Sequence, residues 1–212
     1  MTFASVVLDV DSTLTSIEGI SWLAERRGPD VARAVDAMTV RAMEGATPLE
    51  AVYGERLALV RPSRVDLRAL AGAYAAALVP DVQSALDVLR AAHVRLVVVS
   101  GGLRDALVPF VATLGIPERD VYAVALRFAP DGTYAGFDAS SPLACRLGKP
   151  AIARTLALPR PVLAVGDGST DAELKECVDA FAAFTGVVRR ESVVAAADHV
   201  ISRFVDLPSL VL

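Results

Sequence analysis

Residues 5–15 read Ser-Val-Val-Leu-Asp-Val-Asp-Ser-Thr-Leu-Thr, so two carboxylates follow directly after a short apolar run. Two later segments have the same form, with 96–102 reading Leu-Val-Val-Val-Ser-Gly-Gly and 162–171 reading Val-Leu-Ala-Val-Gly-Asp-Gly-Ser-Thr-Asp. Short apolar runs that are followed by polar segments predict buried strands of a parallel sheet. Such a sheet, with helices on both faces, binds ligands beyond the carboxyl ends of its strands. We therefore expect the three segments to meet at one site.

The rest of the chain alternates between helix and strand patterns, which favours an α/β fold with a doubly wound, mostly parallel sheet. Residues 14–77 show helical periodicity broken at glycine and proline, and Asp30 and Ser63 are predicted N-caps. We interpret this stretch as a helical bundle, inserted into an α/β core made of residues 1–13 and 78–212. The predicted core helices are 81–91, 103–114, 151–158, 171–177 and one near Ser192. The predicted strands are 94–99, 162–165, 180–184 and a last one at 199–201, with a β-hairpin at about 121–138.

The composition argues against several classes of protein. The 212-residue chain has a net charge of −4 and no long basic run, which argues against nucleic-acid binding. Although 54% of its residues are hydrophobic, charges and prolines interrupt every apolar run, so no membrane association is predicted. The first residues do not resemble a signal peptide, and two cysteines without metal-binding spacing fit a reducing cytoplasm.

The acidic residues at the predicted strand ends point to a cation and to phosphoryl chemistry. Asp9 and Asp11 repel each other at the end of an apolar strand unless a cation joins them. Mg²⁺ is the expected ion, because it takes oxygen ligands and leaves room for a phosphate, and Asp167 can supply a further oxygen. A carboxylate is also a competent nucleophile toward phosphorus. For one acidic pair alone, a solvated strand end would be the better interpretation, but three aligned strand ends favour a phosphoryl-handling site.

Two further features of the sequence are suited to binding phosphate. The residues that other classes of phosphatase need are missing. The segment Ser100-Gly101-Gly102 before a helix offers a hydroxyl and backbone N–H groups, although alone it is also a common tight turn. Lys149 can place a charge on a phosphate, although a single lysine there is also typical of a solvated surface. Alanine stands six positions after each cysteine, where a cysteine phosphatase needs arginine. The two histidines form no helix-spaced metal pair, and no Gly-Lys-Ser/Thr phosphate loop occurs.

In this order, the Asp-x-Asp-Ser-Thr, Ser-Gly-Gly, Lys and Gly-Asp-Gly-x-Thr-Asp motifs resemble the haloacid dehalogenase superfamily. The resemblance narrows to its phosphoserine-hydrolysing branch through residues 9–20 (Asp-Val-Asp-Ser-Thr-Leu-Thr-Ser-Ile-Glu-Gly-Ile), the cap segment 55–64 and the hairpin segment 134–138. It implies a Rossmann-like core with a helical cap. It also implies a Mg²⁺-dependent enzyme of the cytoplasm that hydrolyses O-phospho-L-serine through an aspartyl-phosphate, in the last step of serine biosynthesis.

The resemblance implies a role for each acidic residue at the strand ends. Asp9 would be the nucleophile, and Asp11 would protonate the leaving hydroxyl and then deprotonate the attacking water. Mg²⁺ would be held by the Asp9 carboxylate, the Asp11 backbone carbonyl and Asp167, with Asp171 in support.

The resemblance likewise implies how the substrate is bound. Ser100, Gly101 and Lys149 would hold the phosphoryl oxygens. In the cap, Glu18 would meet the substrate ammonium and Arg56 its carboxylate, to which the planar guanidinium is well suited. The remaining supporting residues are Thr170, Met43 and Arg190.

The chain departs from the family pattern at Leu49 and Glu44, where phenylalanine and glycine are usual, and both changes affect how the cap packs. The expected partner is a small-molecule substrate, with no nucleic acid and no membrane, and the protein is expected to be a monomer or homodimer. Two enzymatic alternatives stay open, namely transfer of the phosphoryl group to homoserine and hydrolysis of another small phosphomonoester. A ligand-sensing member of the same fold is disfavoured, because a binding module needs neither a nucleophile nor an acid.

Overall fold

The computed structural model describes the backbone of residues 2–43 and 49–212, and their side chains except those of 40–43 and 49. The sequence-based remarks on Glu44 and on the side chains of Met43 and Leu49 lie outside the described residues.

The centre of the molecule is a six-stranded parallel sheet in the order β3-β2-β1-β6-β7-β8. The strands are β1 (Ser5–Leu8), β2 (Arg95–Leu103), β3 (Val121–Val124), β4 (Leu126–Phe128), β5 (Tyr134–Phe137), β6 (Val162–Gly166), β7 (Ala180–Phe184) and β8 (His199–Ile201). From β1, the chain adds strands outward on one side and then, from β6, outward on the other. The doubly wound, mostly parallel sheet predicted from the sequence is confirmed.

Helices flank this sheet, and the first four, which lie between β1 and β2 in the chain, form a bundle. The helices are α1 (Gly19–Glu25), α2 (Pro29–Met43), α3 (Leu49–Val60), α4 (Arg64–Ala76), α5 (Val82–Ala91), α6 (Arg104–Thr113), α7 (Gly148–Ala153), α8 (Ser169–Ala172), α9 (Glu191–Ala196) and α10 (Leu207–Val211). In the bundle, α1 packs against α2, α3 and α4, and α4 also packs against α6 beside the sheet. None of the described helices is long and apolar enough to cross a membrane.

Of the two N-caps predicted in the bundle, one is confirmed and one is wrong. Ser63 caps α4, since its Oγ accepts from Asp66 N at 3.2 Å while the Asp66 carboxylate accepts from Ser63 N at 2.8 Å. Asp30 is not an N-cap, because α2 already begins at Pro29. Proline is well suited to a first helical position, since its φ is already fixed near the helical value.

The strand register brings the predicted site segments to one edge of the sheet. Leu8 at the end of β1 pairs with Val98 of β2 on one side and with Val165 of β6 on the other. The polar residues near these three positions are therefore brought side by side at this edge of the sheet. This point, where the strand order reverses, is the usual ligand-binding crevice of an open parallel sheet.

Several predicted element bounds are wrong. Residues 121–124 pair with β2 as β3, so the hairpin contains only β4 and β5. The helix predicted at 151–158 is α7, which begins earlier because Pro150 fits a first turn. It ends earlier, where the Thr155 hydroxyl donates to the Ile152 carbonyl at 2.7 Å. The helix predicted at 171–177 is the short α8 and a 3₁₀ turn, and α10 follows β8, which was predicted to be the last element.

Candidate active site

A cavity of about 870 Å³ lies at the carboxyl edge of the sheet, between the ends of β1, β2 and β6 and the helical bundle. Every sequence-predicted site residue except Met43, whose side chain is outside the described residues, lines this cavity. The residues brought together are Asp9, Asp11, Glu18, Arg56, Ser100, Gly101, Lys149, Asp167, Thr170, Asp171 and Arg190.

Lys149 bridges two buried carboxylates at the base of the cavity. Its Nζ lies 2.7 Å from Asp9 Oδ1 and 2.6 Å from Asp171 Oδ1. Burial disfavours the ammonium, but the charges of Asp171 and Asp9 outweigh it and raise the pKa of Lys149. Gly148 allows the start of α7 to pack this closely, because a Cβ there would lie 1.9 Å from the Pro142 carbonyl oxygen. The ammonium is therefore a fixed positive charge beside Asp9.

Three buried carboxylates are close enough to share a cation. Asp9, Asp167 and Asp171 each offer an oxygen, and these oxygens lie within 4.8 Å of one another. Asp171 can come this close because residue 166 is glycine, since a Cβ there would lie 2.1 Å from Asp171 Cγ. Clustered carboxylate oxygens are the donors that a hard divalent cation such as Mg²⁺ prefers. The residues present therefore fit such an ion.

Asp167 is held in place by two neighbours. Thr13 Oγ1 donates to Asp167 Oδ1 at 3.1 Å, and the Arg190 guanidinium forms an ion pair with Asp167. Arg190 Nη1 also donates to the backbone carbonyl of Asp167 at 3.2 Å. Even with Arg190 and Lys149 counted, the acidic side chains at the base of the cavity outnumber the cationic ones. This excess of negative charge also favours a bound cation.

Asp11 is placed apart from these three carboxylates and faces the bundle with one of its oxygens. Asp11 Oδ1 accepts hydrogen bonds from Tyr74 Oη at 2.7 Å and from Gly19 N at 3.1 Å. Burial raises the pKa of Asp11 to about 8, with smaller contributions from the charges of Glu18 and Asp9. A carboxyl group of this kind can hold a proton near neutral pH, as a general acid must.

The Ser-Gly-Gly segment lies in the irregular end of β2 and not beyond it, since the register shifts between Val99 and Leu103. The predicted strand end at residue 99 is therefore too early. Ser100 is buried, and its Oγ accepts from Gly102 N at 3.1 Å. The segment thus presents a buried hydroxyl to the cavity, next to the carboxylates.

The bundle contributes Glu18 and Arg56 to the opposite side of the cavity. Ser12 Oγ donates to Glu18 Oε1 at 2.5 Å. Arg56 Nη1 donates to Thr39 Oγ1 at 3.2 Å, and the guanidinium lies 5.7 Å from the centre of the Tyr53 ring. Burial lowers the pKa of Arg56. Among the described residues, the buried Arg56 Nε has no hydrogen-bond partner. This donor is available to an acceptor on a ligand.

Two tyrosines that the sequence analysis did not single out contact the site. Tyr53 Oη donates to the Gly101 carbonyl at 2.8 Å and joins the bundle to the end of β2. Tyr74 donates to Asp11 across 63 positions of sequence. In the sequence, Tyr74 shares a helical spacing with Leu67 and Leu70, which indicates only a core position. No local signal marked either hydroxyl.

The sequence matches a known family over most of its length. The model of the haloacid dehalogenase-like hydrolases matches residues 6–176. The phosphoserine phosphatase of Homo sapiens is 38% identical over 206 residues, covering 96% of this chain and 91% of the relative. The chloroplastic phosphoserine phosphatase of Arabidopsis thaliana is 34% identical over 208 residues, covering 96% of this chain and 70% of the relative.

Solved structures share the fold. A phosphoserine phosphohydrolase-like protein from Francisella tularensis superposes with a TM-score of 0.87 at 25% identity, covering all of both chains. A phospho-aspartyl intermediate analogue of a phosphoserine phosphatase also matches over the whole of both chains, with a TM-score of 0.80 at 22% identity. At this lower identity, the second likeness shows the fold alone.

Proposed function

The chain belongs to the haloacid dehalogenase-like hydrolases, and from this membership we propose that it hydrolyses O-phospho-L-serine to L-serine and phosphate. We infer the substrate from the relatives, which are phosphoserine phosphatases and match nearly the whole length of this chain. The observation that carries the chemistry is the buried cluster in which Lys149 bridges Asp9 and Asp171 beside Asp167. Serine synthesis in the cytoplasm is the setting that we propose for this reaction.

In the first step, the Asp9 carboxylate attacks phosphorus and an aspartyl-phosphate forms. The bond between phosphorus and the serine oxygen breaks, and this oxygen takes a proton from Asp11. Lys149 lies beside Asp9, and Ser100 lines the same cavity. These two side chains hold the phosphoryl oxygens and stabilise their charge as it is redistributed. Asp9 is buried, so few water molecules compete with the substrate for its carboxylate.

In the second step, water attacks phosphorus and the bond to Asp9 breaks. Asp11 takes a proton from this water and thereby returns to its starting state. We propose that Asp9, the Asp11 backbone carbonyl and Asp167 hold a Mg²⁺ ion, with Asp171 and Thr170 supporting the loop. Such an ion supplies positive charge to the phosphoryl oxygens. Arg190 supports the same site by pairing with Asp167.

The amino-acid part of the substrate is proposed to bind to the bundle, which we propose to be a cap of residues 14–77. Arg56 would bind the carboxylate. Its buried Nε has no hydrogen-bond partner among the described residues, which supports this role. Glu18 would bind the ammonium. Tyr53 links this cap to Gly101 and supports a cap that closes over bound substrate.

Phosphate release from a panel of small phosphomonoesters tests the proposal. With Mg²⁺, we expect O-phosphoserine to be hydrolysed best and phosphoethanolamine, which lacks the carboxylate, to be hydrolysed poorly. Equal rates on both, or faster hydrolysis of an ester that lacks the amino-acid group, would exclude the proposed substrate. Product analysis with added homoserine separates hydrolysis from phosphoryl transfer, since transfer would yield phosphohomoserine.

A further inference from the structure

Tyr74 is a fully buried tyrosine whose hydroxyl reaches the site from the bundle. It lies near the end of α4, and its ring packs against Phe110 of α6 with the ring centroids 5.4 Å apart. Its Oη is 2.7 Å from Asp11 Oδ1, and Asp11 is its hydrogen-bond partner among the described residues. Because a buried tyrosine hydroxyl needs a partner, this contact determines where the end of the side chain lies.

We propose that Tyr74 is a positioning residue for Asp11, holding Oδ1 so that Oδ2 is the oxygen that gives and takes the proton. The inference rests on the proposed function, since it assumes that Asp11 is the acid and base of the reaction. It adds a role for a residue of the bundle that does not itself contact the reacting phosphorus.

The two oxygens of Asp11 have different surroundings. Oδ1 receives two donors, Tyr74 Oη and Gly19 N, which occupy the two lone pairs of a carboxyl oxygen. Oδ2 lies on the side of the Ser-Gly-Gly segment, where a Cβ at Gly102 would be 3.5 Å from it and 3.3 Å from Ser100 Oγ. A proton on Asp11 is therefore carried by Oδ2, on the side where the phosphoryl group would bind.

The space for the Tyr74 hydroxyl is provided by Gly19. A Cβ at this position would lie 2.1 Å from Tyr74 Oη, so any larger residue at 19 displaces the tyrosine. The same glycine supplies the second donor to Oδ1. Both donors come from the bundle, from the start of α1 and the end of α4. The orientation of Asp11 thus depends on how the bundle packs over the sheet.

The hydroxyl takes no part in the transfer itself. As the bond between phosphorus and the serine oxygen breaks, the proton moves from Asp11 Oδ2 to that oxygen, while Tyr74 keeps its proton and donates to Oδ1 throughout. In the second step the proton of the attacking water returns to Oδ2. Phenylalanine at 74 keeps the ring and its packing and removes only this hydrogen bond.

The test compares Tyr74→Phe with the wild-type enzyme and with Phe110→Leu, which loosens the packing of the Tyr74 ring but keeps its hydroxyl. For Tyr74→Phe we expect kcat on O-phosphoserine to fall about 10-fold, a part of the usual 10²–10⁴ contribution of a general acid or base. KM should stay within about twofold, since the bound groups of the substrate are untouched. Phe110→Leu should lower the melting temperature while kcat is largely retained.

A crystal structure of Tyr74→Phe adds a readout that does not depend on turnover. We expect the Asp11 carboxylate to rotate or to adopt two orientations. The inference is overturned by an unchanged carboxylate orientation, by wild-type kcat in Tyr74→Phe, or by an equal loss of kcat in Phe110→Leu. Failure of the proposed function is distinct, because the wild-type enzyme itself would then release no phosphate from O-phosphoserine.

Discussion

The two sides of the cavity hold their charged groups in different ways. On the sheet side, Lys149 is in contact with Asp9 and Asp171, and Asp167 is in contact with Arg190. On the bundle side, the buried Arg56 Nε has no partner in the part of the chain that the structure describes, and Glu18 is exposed.

This difference indicates which part of a ligand each side serves. A buried charge without a partner is costly, so the sheet side is complete and rigid before substrate binds. Such preorganised groups stabilise charge during a reaction without having to move. On the bundle side, the Arg56 Nε gains a partner when a ligand supplies an acceptor. We infer that the sheet side governs the rate of the chemical steps and that the bundle side governs the choice of substrate.

The largest effect is expected on the sheet side, from Lys149→Met. This change leaves two buried carboxylates without their cation, so the free energy of unfolding should fall by about 3 kcal/mol. Loss of the positive charge at the phosphoryl group should lower kcat/KM by about 10³-fold. Chemical denaturation and phosphate release measure the two effects.

The matched control is Lys175→Met, which removes an exposed lysine that lies 2.8 Å from Asp198 Oδ1. A surface pair of this kind contributes about 0–1 kcal/mol, so stability and activity should both be nearly unchanged. Equal losses in the two variants would show that the buried cluster is not distinct from a surface ion pair.

A smaller and more selective effect is expected on the bundle side, from Arg56→Lys. The lysine keeps the charge but lacks the planar guanidinium, which can bind a carboxylate through two hydrogen bonds. The kcat/KM for O-phosphoserine should therefore fall about 10- to 100-fold. The low rate on phosphoethanolamine, which has no carboxylate, should change little. If kcat/KM fell by the same factor for both substrates, Arg56 would act on the phosphoryl transfer, and the division between the two sides would be wrong.

The contact between the two sides is tested by Tyr53→Phe. This variant removes the hydrogen bond from Tyr53 to the Gly101 carbonyl, a neutral bond of about 1 kcal/mol, so kcat/KM should fall roughly 5-fold. Tyr122→Phe, a half-buried tyrosine on β3, is the control and should behave as wild type. An unchanged kcat/KM in Tyr53→Phe would mean that this bond does not help the bundle to close over substrate.

The smallest effect is expected far from the cavity, from Asp66→Asn. Burial alone would raise the pKa of Asp66, but hydrogen bonds from Arg27 and Ser63 overcome it and lower the pKa to about 2, from 3.8. The ionised Asp66 therefore stabilises the folded protein above about pH 4, and this contribution disappears as the pH falls through 2.

Urea denaturation should accordingly show Asp66→Asn to be less stable by about 1 kcal/mol at pH 7, because the variant loses the ion pair with Arg27 and weakens the capping box with Ser63. The difference from wild type should shrink between about pH 4 and pH 2. Glu55→Gln, which removes an exposed carboxylate from α3, is the matched control. A constant difference across this pH range would contradict the assignment to the Asp66 carboxylate.

The sequence predicts the sheet side better than the bundle side, for a physical reason. On the sheet side, Asp9 and Asp167 directly follow the buried strands β1 and β6, so their immediate neighbours in the sequence mark them. The parallel register then brings the strand ends together without further information. Tyr74 and Tyr53 lie within helices, where their spacing indicates only burial, and their contacts with Asp11 and Gly101 depend on how the helices pack.

The most direct test of the central claim is to locate the phosphoryl group in enzyme that is acid-quenched during turnover of radiolabelled O-phosphoserine with Mg²⁺. If the three strand ends form one phosphoryl-transfer site, the label is bound to the peptide that contains Asp9, and Asp9→Asn carries none and releases no phosphate. Label on another residue, or continued turnover by Asp9→Asn, would contradict the account.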